Sequence, residues 1–235
     1  MKKIFTTAAL LCLSATTLAA QTTPQNLIVR PLTLADGEFN LFAGAVYGEQ
    51  SDDDKKWQIL PGIAYGITDN LTLGFGGLTY QLLDRPSNGY GLELSTSIHY
   101  AGSLEVKGAD DTDGIGFDIT GKYVLSKDTA VLFSTEYVHW DEEVRDNRYE
   151  IRYSIGVQQN VYNDVSVFAN YTYSDLHDFS DSSANAGTIG VNYAYSKSVD
   201  LGVAINYSDF DAIENGYKAD NVFEKSVALY VSKRF

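Results

Sequence analysis

The sequence is short of the residues that most catalytic and metal chemistry uses. Its 235 residues hold one cysteine, three histidines, one methionine and two tryptophans. The cysteine, Cys12, lies in an apolar run near the start, so the chain beyond it has no disulfide and no thiolate metal site. No G-x-S-x-G elbow occurs, and His139 and His177 sit among carboxylates that any acidic loop supplies. "DDTDG" (Asp110 to Gly114) fails as a calcium loop. Counting back from the glycine puts Ala109 at the first ligand position and Thr120 where the bidentate glutamate belongs. Neither a metal nor a cofactor is expected. Four prolines are too few for a Pro-rich linker, and no stretch keeps a helical period. Basic charge is scarce too: 17 Lys and Arg stand against 31 Asp and Glu, a formal net charge of −14. That balance argues against nucleic acid as a partner.

The chain does carry a leader. Met1 to Ala20 opens with Lys2 and Lys3, runs apolar from Ala8 to Leu13 and closes on Leu18-Ala19-Ala20, the layout of a cleaved secretory signal. The apolar run is too short to cross a bilayer as a helix. Leu11, preceding Cys12, is not the small residue a lipoprotein signal would want. Removal of 1–20 leaves about 215 residues, a length that fits one all-β domain, with no composition shift to divide it. Residues 21–36 are expected as a periplasmic N-terminal segment and 37–235 as a β-barrel.

From Gly37 onward, segments of alternating apolar character recur almost without interruption, from "GEFNLFAGAVYGE" to "FEKSVALYVSKRF". Their connections alternate between short turns, such as Thr68-Asp69-Asn70 and Ser196-Lys197-Ser198, and longer acidic loops, such as Gln50 to Lys55, Asp84 to Gly89 and Asp209 to Asp220. That alternation suits an up-and-down transmembrane barrel with one short-turn rim and one long-loop rim. A plain count gives eleven strands. Reading "HYAG" (His99 to Gly102) as a further turn, with "SLEVKG" as its own strand, gives twelve and restores the even number such barrels have; ten remains the alternative. "LTLGFGGLTYQL" shifts phase at Gly76-Gly77, which predicts a bulge or glycine kink.

One face of the strands is apolar and carries rings toward strand ends, among them Trp57, Tyr65, Tyr123, Tyr171, Tyr193 and Tyr207. Such rings suit interfacial girdles, which turns the apolar face outward to lipid, whereas a soluble β-sandwich would hide it. The opposite face then lines the interior. It holds Glu38, Glu93, Glu105, Asp118, Glu136 and Glu150 against Lys56, Lys107, Lys122 and Arg152. Small residues on that face, including Gly62, Gly74, Gly116, Gly156, Gly190, Gly202 and Ala204, predict room inside.

The leader, the strand-and-turn rhythm and the closing "ALYVSKRF" resemble the bacterial outer-membrane β-barrel class. "RPLTLADGEFNL" (Arg30 to Leu41) followed by "GIAYGITDNLTLG" (Gly62 to Gly74) is similar to the opening of uncharacterised porin-like families. The resemblance implies export through the Sec pathway to a Gram-negative outer membrane, with lipid and lipopolysaccharide as surroundings. It also implies that Phe235, with Val231 and Leu229, is read by the barrel-assembly machinery; Lys233 departs from the fullest form of that signal. The expected function is a porin-like channel passing small polar or cationic solutes by diffusion. The alternatives are a closed structural or adhesive barrel acting through acidic loops and, third, an outer-membrane hydrolase.

Overall fold

The computed structural model describes residues 26–87, 89–106, 111–142, 146–219 and 222–235. The leader expected at 1–20 and the interior cation expected at Lys107 fall outside them. Twelve antiparallel strands follow in chain order: β1 (Phe39–Gln50), β2 (Lys55–Thr68), β3 (Leu71–Gly74), β4 (Gly77–Leu83), β5 (Gly91–Glu105), β6 (Asp111–Ser126), β7 (Thr129–Asp141), β8 (Arg148–Asn160), β9 (Val165–His177), β10 (Ser183–Ala194), β11 (Val199–Ser208) and β12 (Phe223–Arg234). Each pairs with its sequence neighbours, and β1 pairs with β12 from Asn40↔Arg234 to Gln50↔Phe223, so the sheet closes. Closure removes the free edges that an open sheet would expose to lipid.

The period of two does the sorting. On β6, Ile115, Phe117, Ile119 and Tyr123 point out, while Thr112, Gly116, Asp118 and Lys122 point in. On β12, Val227, Leu229 and Val231 point out, and Ala228, Ser226 and Arg234 are enclosed. The apolar face is therefore the outer one, and the interior is polar.

Twelve is the observed count, but two strands are divided differently from the sequence expectation. "HYAG" is no turn. β5 runs unbroken through it to Glu105, and Ala101 is an extra residue in its register with β6, a bulge that accounts for the Gly102 signal. "LTLGFGG" is no single bulged strand either. It is a tight hairpin in which Gly74 pairs with Gly77 and Phe75-Gly76 form the turn, with Gly76 at φ +88°. The phase shift read as a kink is the chain reversing.

Two consequences follow for the rims. The connection from Asp84 to Tyr90 lies at the short-turn rim, because Leu83 and Gly91 both end there, rather than among the long loops. The β3–β4 hairpin climbs only four residue pairs from that rim. At a rise of about 3.3 Å per residue and a tilt of about 40°, its tip stands roughly 10 Å up the wall.

Residues 26–38 pass inside the ring at the short-turn rim. Ile28 is enclosed against Val124 and Ala130, Leu34 donates its N–H to Thr72 Oγ1 at 2.8 Å, and the Asn26 side chain caps the Lys127 carbonyl at 2.6 Å. The segment thus touches β3, β6, β7 and the turn after β6. A strand ring this size encloses more volume than its own side chains fill, and this stretch takes up part of it.

Candidate functional site

The interior is built in three tiers. At mid-height, four of the expected residues meet: Arg152 Nη1 reaches Glu136 at 3.1 Å and Arg152 Nη2 reaches Glu150 at 2.6 Å. His99, from β5, joins them through Nε2 to Glu136 at 2.9 Å, and Trp140 Nε1 donates to Glu150 at 3.1 Å. Asp118 sits beside them, accepting from Ser97 Oγ and from Thr120 Oγ1. Three carboxylates surround one guanidinium and one imidazole here, so the tier carries an acidic excess.

The lower tier joins barrel to N-terminal segment. Arg30, only 1% exposed, forks onto the Asp200 carboxylate at 2.6 and 2.8 Å, and Arg234 binds the same carboxylate. Lys122 Nζ donates to the Arg30 carbonyl at 2.7 Å, while Arg85 pairs with Glu93 at 2.6 Å and donates to the Val29 carbonyl at 2.7 Å. Glu38 is enclosed, with a carboxylate oxygen accepting from the Ala35 N–H at 3.3 Å. Arginine suits these bidentate buried contacts better than lysine would.

At the long-loop rim the chain between β11 and β12 turns inward. Tyr217 is enclosed with Ala212, Leu104, Val138 and Trp140. Its hydroxyl donates to Glu142 at 2.5 Å, and burial first, then that carboxylate, pushes the hydroxyl well above its ordinary value. Arg148 lies over the Phe179 and Tyr217 rings at 5.0 and 5.4 Å and donates to the Asn215 carbonyl at 2.8 Å. Lys56 faces inward near this rim, but Glu105 lies at its edge, pairing with Lys218 at 3.0 Å. His177 rests flat on Tyr149 at 4.3 Å beside Asp175, a packing arrangement at the outer edge.

Sequence reasoning expected Glu38, Lys56, Glu93, Asp118, Lys122, Glu136, Glu150 and Arg152 to line a pore; in the structure their side chains face the interior. It missed Arg30, Arg85, Arg148, Arg234, Glu142 and Asp200, which bring the enclosed acids and bases close to balance and confine the acidic excess to mid-height. Alternation could have found Asp200, since its neighbour Leu201 points to lipid.

The expected room is also reduced. Several inward glycines are seats for rings from neighbouring strands: Phe42 covers Gly62, Phe168 covers Gly190, and the Tyr230 ring occupies the space beside Gly202. Cavities remain among the described residues. One of about 90 Å³ lies above the mid-height tier, lined by Leu60, Ala101, Leu104, Trp140 and Phe210 among others. Another, of about 280 Å³, lies against Leu32, Thr72, Ser97, His99 and Asp118.

A closed ring of twelve antiparallel strands, apolar outside and charged inside, is the architecture of outer-membrane β-barrels, and the chain has that fold. No family model and no curated protein matches the chain. Among solved structures, the NanC porin is 11% identical over 83% of this chain and 98% of its own, with a TM-score of 0.51. Outer-membrane expressed OmpT of Vibrio cholerae is 12% identical over 85% and 97%, with a TM-score of 0.47. An anion-selective porin from Comamonas acidovorans is 10% identical over 84% and 98%, with a TM-score of 0.49. At these identities the likeness is one of fold.

Proposed function

We propose that the protein is a narrow outer-membrane channel that rests closed and passes small polar solutes, cations ahead of anions. The observation that supports this most is where the obstruction comes from. The wall itself lines a polar, charged interior, and what fills its two ends is separate chain: residues 26–38 at the short-turn rim and 209–219 at the long-loop rim. Besides the apolar contacts of Ile28 and Tyr217, these segments are joined to the wall by hydrogen bonds and ion pairs, contacts that water can replace. The cation preference comes from Asp118, Glu136 and Glu150 around Arg152 at mid-height, reinforced by acidic loops at the mouth.

A closed structural barrel is the second reading, favoured by the buried pairing of Arg30 with Asp200 and by the rings seated on the glycines. Single-channel conductance of the mature protein in a planar bilayer separates the two. We expect brief, small, cation-selective steps, and a several-fold longer open time when residues 26–36 are removed. Silence from both folded forms would sink the channel and leave the structural role. In either case Phe235, with Val231 and Leu229, is proposed as the assembly signal, and the acidic loops as the surface facing lipopolysaccharide.

A further inference from the structure

The barrel wall is not of even height. Because β3 and β4 stop at Gly74 and Gly77, β2 has no ladder partner on its second edge above Ala64. Gly66 donates its N–H to Glu38, on the β1 side, at 2.9 Å. Backbone groups alternate between edges along a strand, so Gly62 and Leu60 also face β1, while Ile63, Pro61 and Ile59 face away from it. Among the described residues no strand pairs with those three on that edge. Pro61, which has no N–H to offer a neighbour, therefore stands at the one place in a ladder where proline is tolerated.

Across the gap, Tyr100 donates its N–H to the Gly76 carbonyl at 2.8 Å, and higher up Lys218 donates to the Glu105 carbonyl at 2.7 Å. The opening is thus framed by the hairpin tip below, β2 and β5 at the sides, and the inward-folded loop above. Unpaired backbone at membrane depth is tolerated only where it lines a protein cavity or water. The cavity of about 280 Å³ lies at the foot of this opening, reaching β2 at Ala64: it is lined by Phe75 and Leu78, which point out to lipid, and by Ser97, His99 and Asp118, which point into the lumen. Its lining thus draws on both faces of the wall.

We infer that this window is a lateral binding portal for a single-chain membrane amphiphile with a hydrogen-bond-donating head, a primary amine in the simplest case. The apolar body lies against Phe75, Leu78 and Ile98, all of which face lipid. The head meets the Asp118 carboxylate, which accepts from Ser97 and Thr120 and keeps lone pairs for a further donor. A volume of about 280 Å³ is near the lower bound of about 300 Å³ for small-ligand sites, so the head and first carbons enter and the chain trails into the leaflet. The portal does not depend on conduction: a barrel plugged at both ends would still bind through its side.

The test uses the full mature protein in phosphatidylcholine vesicles and a dodecylamine carrying a diazirine beside its amino group. Photolabelling should be saturable, should be competed by plain dodecylamine, and should map to the luminal residues Ser97 and Thr120 as well as to Phe75. A Cβ at position 74 meets the Gly77 carbonyl oxygen at 3.8 Å, an ordinary contact, so Gly74→Phe enters the cavity without displacing backbone. Luminal labelling should then fall by about an order of magnitude. Should Gly74→Phe fail to assemble, Asp118→Asn keeps the shape and should weaken labelling by the amine but not by the matching alcohol. Labelling spread evenly over the outward wall, with Ile155 and Ile189 marked as strongly as Phe75, would overturn the portal. So would a carboxylate-headed probe that binds as well as the amine.

Discussion

Leu201 and Ile205 lie on the same outward face of β11, four residues apart, but at different depths. Leu201 is next to the short-turn rim, opposite Tyr193 and Val231, whereas Ile205 is near the middle of the wall, opposite Ile189 and Val227. A charge at mid-membrane costs about 2 to 4 kcal/mol and one near the interface about 0 to 1. Ile205→Arg is therefore expected to lower stability by the larger figure and Leu201→Arg by the smaller, read from urea unfolding in vesicles. Equal costs at the two sites would mean that the wall sits at another depth. Inside the same strand, Gly202 is occupied by proximity alone: a Cβ there would overlap the Tyr230 ring, whose hydroxyl binds Asn192. Gly202→Val should cost about 1 to 3 kcal/mol through overpacking, and pairing it with Tyr230→Ala should recover part of that loss. The composition shows the glycines but not their occupants. A run of inward small residues looks like free space until the ring that leans over from the next strand is placed.

Strands were legible where a period could be counted, and misread where the backbone departs from it. In β6 to β12 alternation ran on with register shifts only near strand ends, and inward charges such as Asp118, Glu136 and Arg152 could be assigned by parity. The reversal at Phe75-Gly76 and the bulge at Ala101 each shift phase by one residue, and phase alone does not tell a turn from a bulge. The two errors compensated, so the count of twelve came from the wrong division. Loop and terminal segments have no period at all, which is why Arg30, Arg85 and Tyr217 carried no sign of pointing inward. Gly76 now has a specific job: at φ +88°, with Tyr100 Cβ 3.4 Å from where its own Cβ would be, it lets the hairpin stop. Gly76→Ala is expected to cost about 1 to 2 kcal/mol and to shift the urea midpoint without moving the closing pair. That closing pair, β1 with β12, is sealed at its end by Phe235, which exchanges backbone hydrogen bonds with Phe39 at 2.9 and 3.3 Å and rests its ring 6.1 Å from the Phe39 ring. Deleting Phe235 removes two ladder bonds and a ring contact at the seam. The fraction migrating as folded barrel in unheated gels should fall, and an unchanged fraction would remove Phe235 from closure.

For the whole molecule, the proposed channel would have two closures in series, each held by its own contacts. Arg30 docks the N-terminal segment through Asp200 and Lys122, and Tyr217 docks the inward loop through Glu142 and Arg148. Breaking a buried ion pair costs up to about 3 to 5 kcal/mol, less what Arg234 continues to give Asp200. Removing a hydrogen bond to a charged acceptor costs about 1.5 to 3 kcal/mol. Arg30→Ala and Tyr217→Phe should each raise open probability. Since these bonded partners are not shared, the logarithms of the two effects should add in the double variant. A double variant no more open than Arg30→Ala alone would mean that the loop does not obstruct the path. Alkaline titration of the wild type beside Tyr217→Phe isolates the share of the outer closure. The Tyr217 hydroxyl is held above its ordinary value of 10.0, so its contribution is whole below that pH and is lost only as pH rises through the displaced value. Open probability of the wild type should therefore climb at strongly alkaline pH. In Tyr217→Phe, which has no proton to lose at that position, the climb should be smaller by the tyrosine's share; a climb of unchanged size would mean that the alkaline opening belongs to other groups and that the outer closure is held by packing alone.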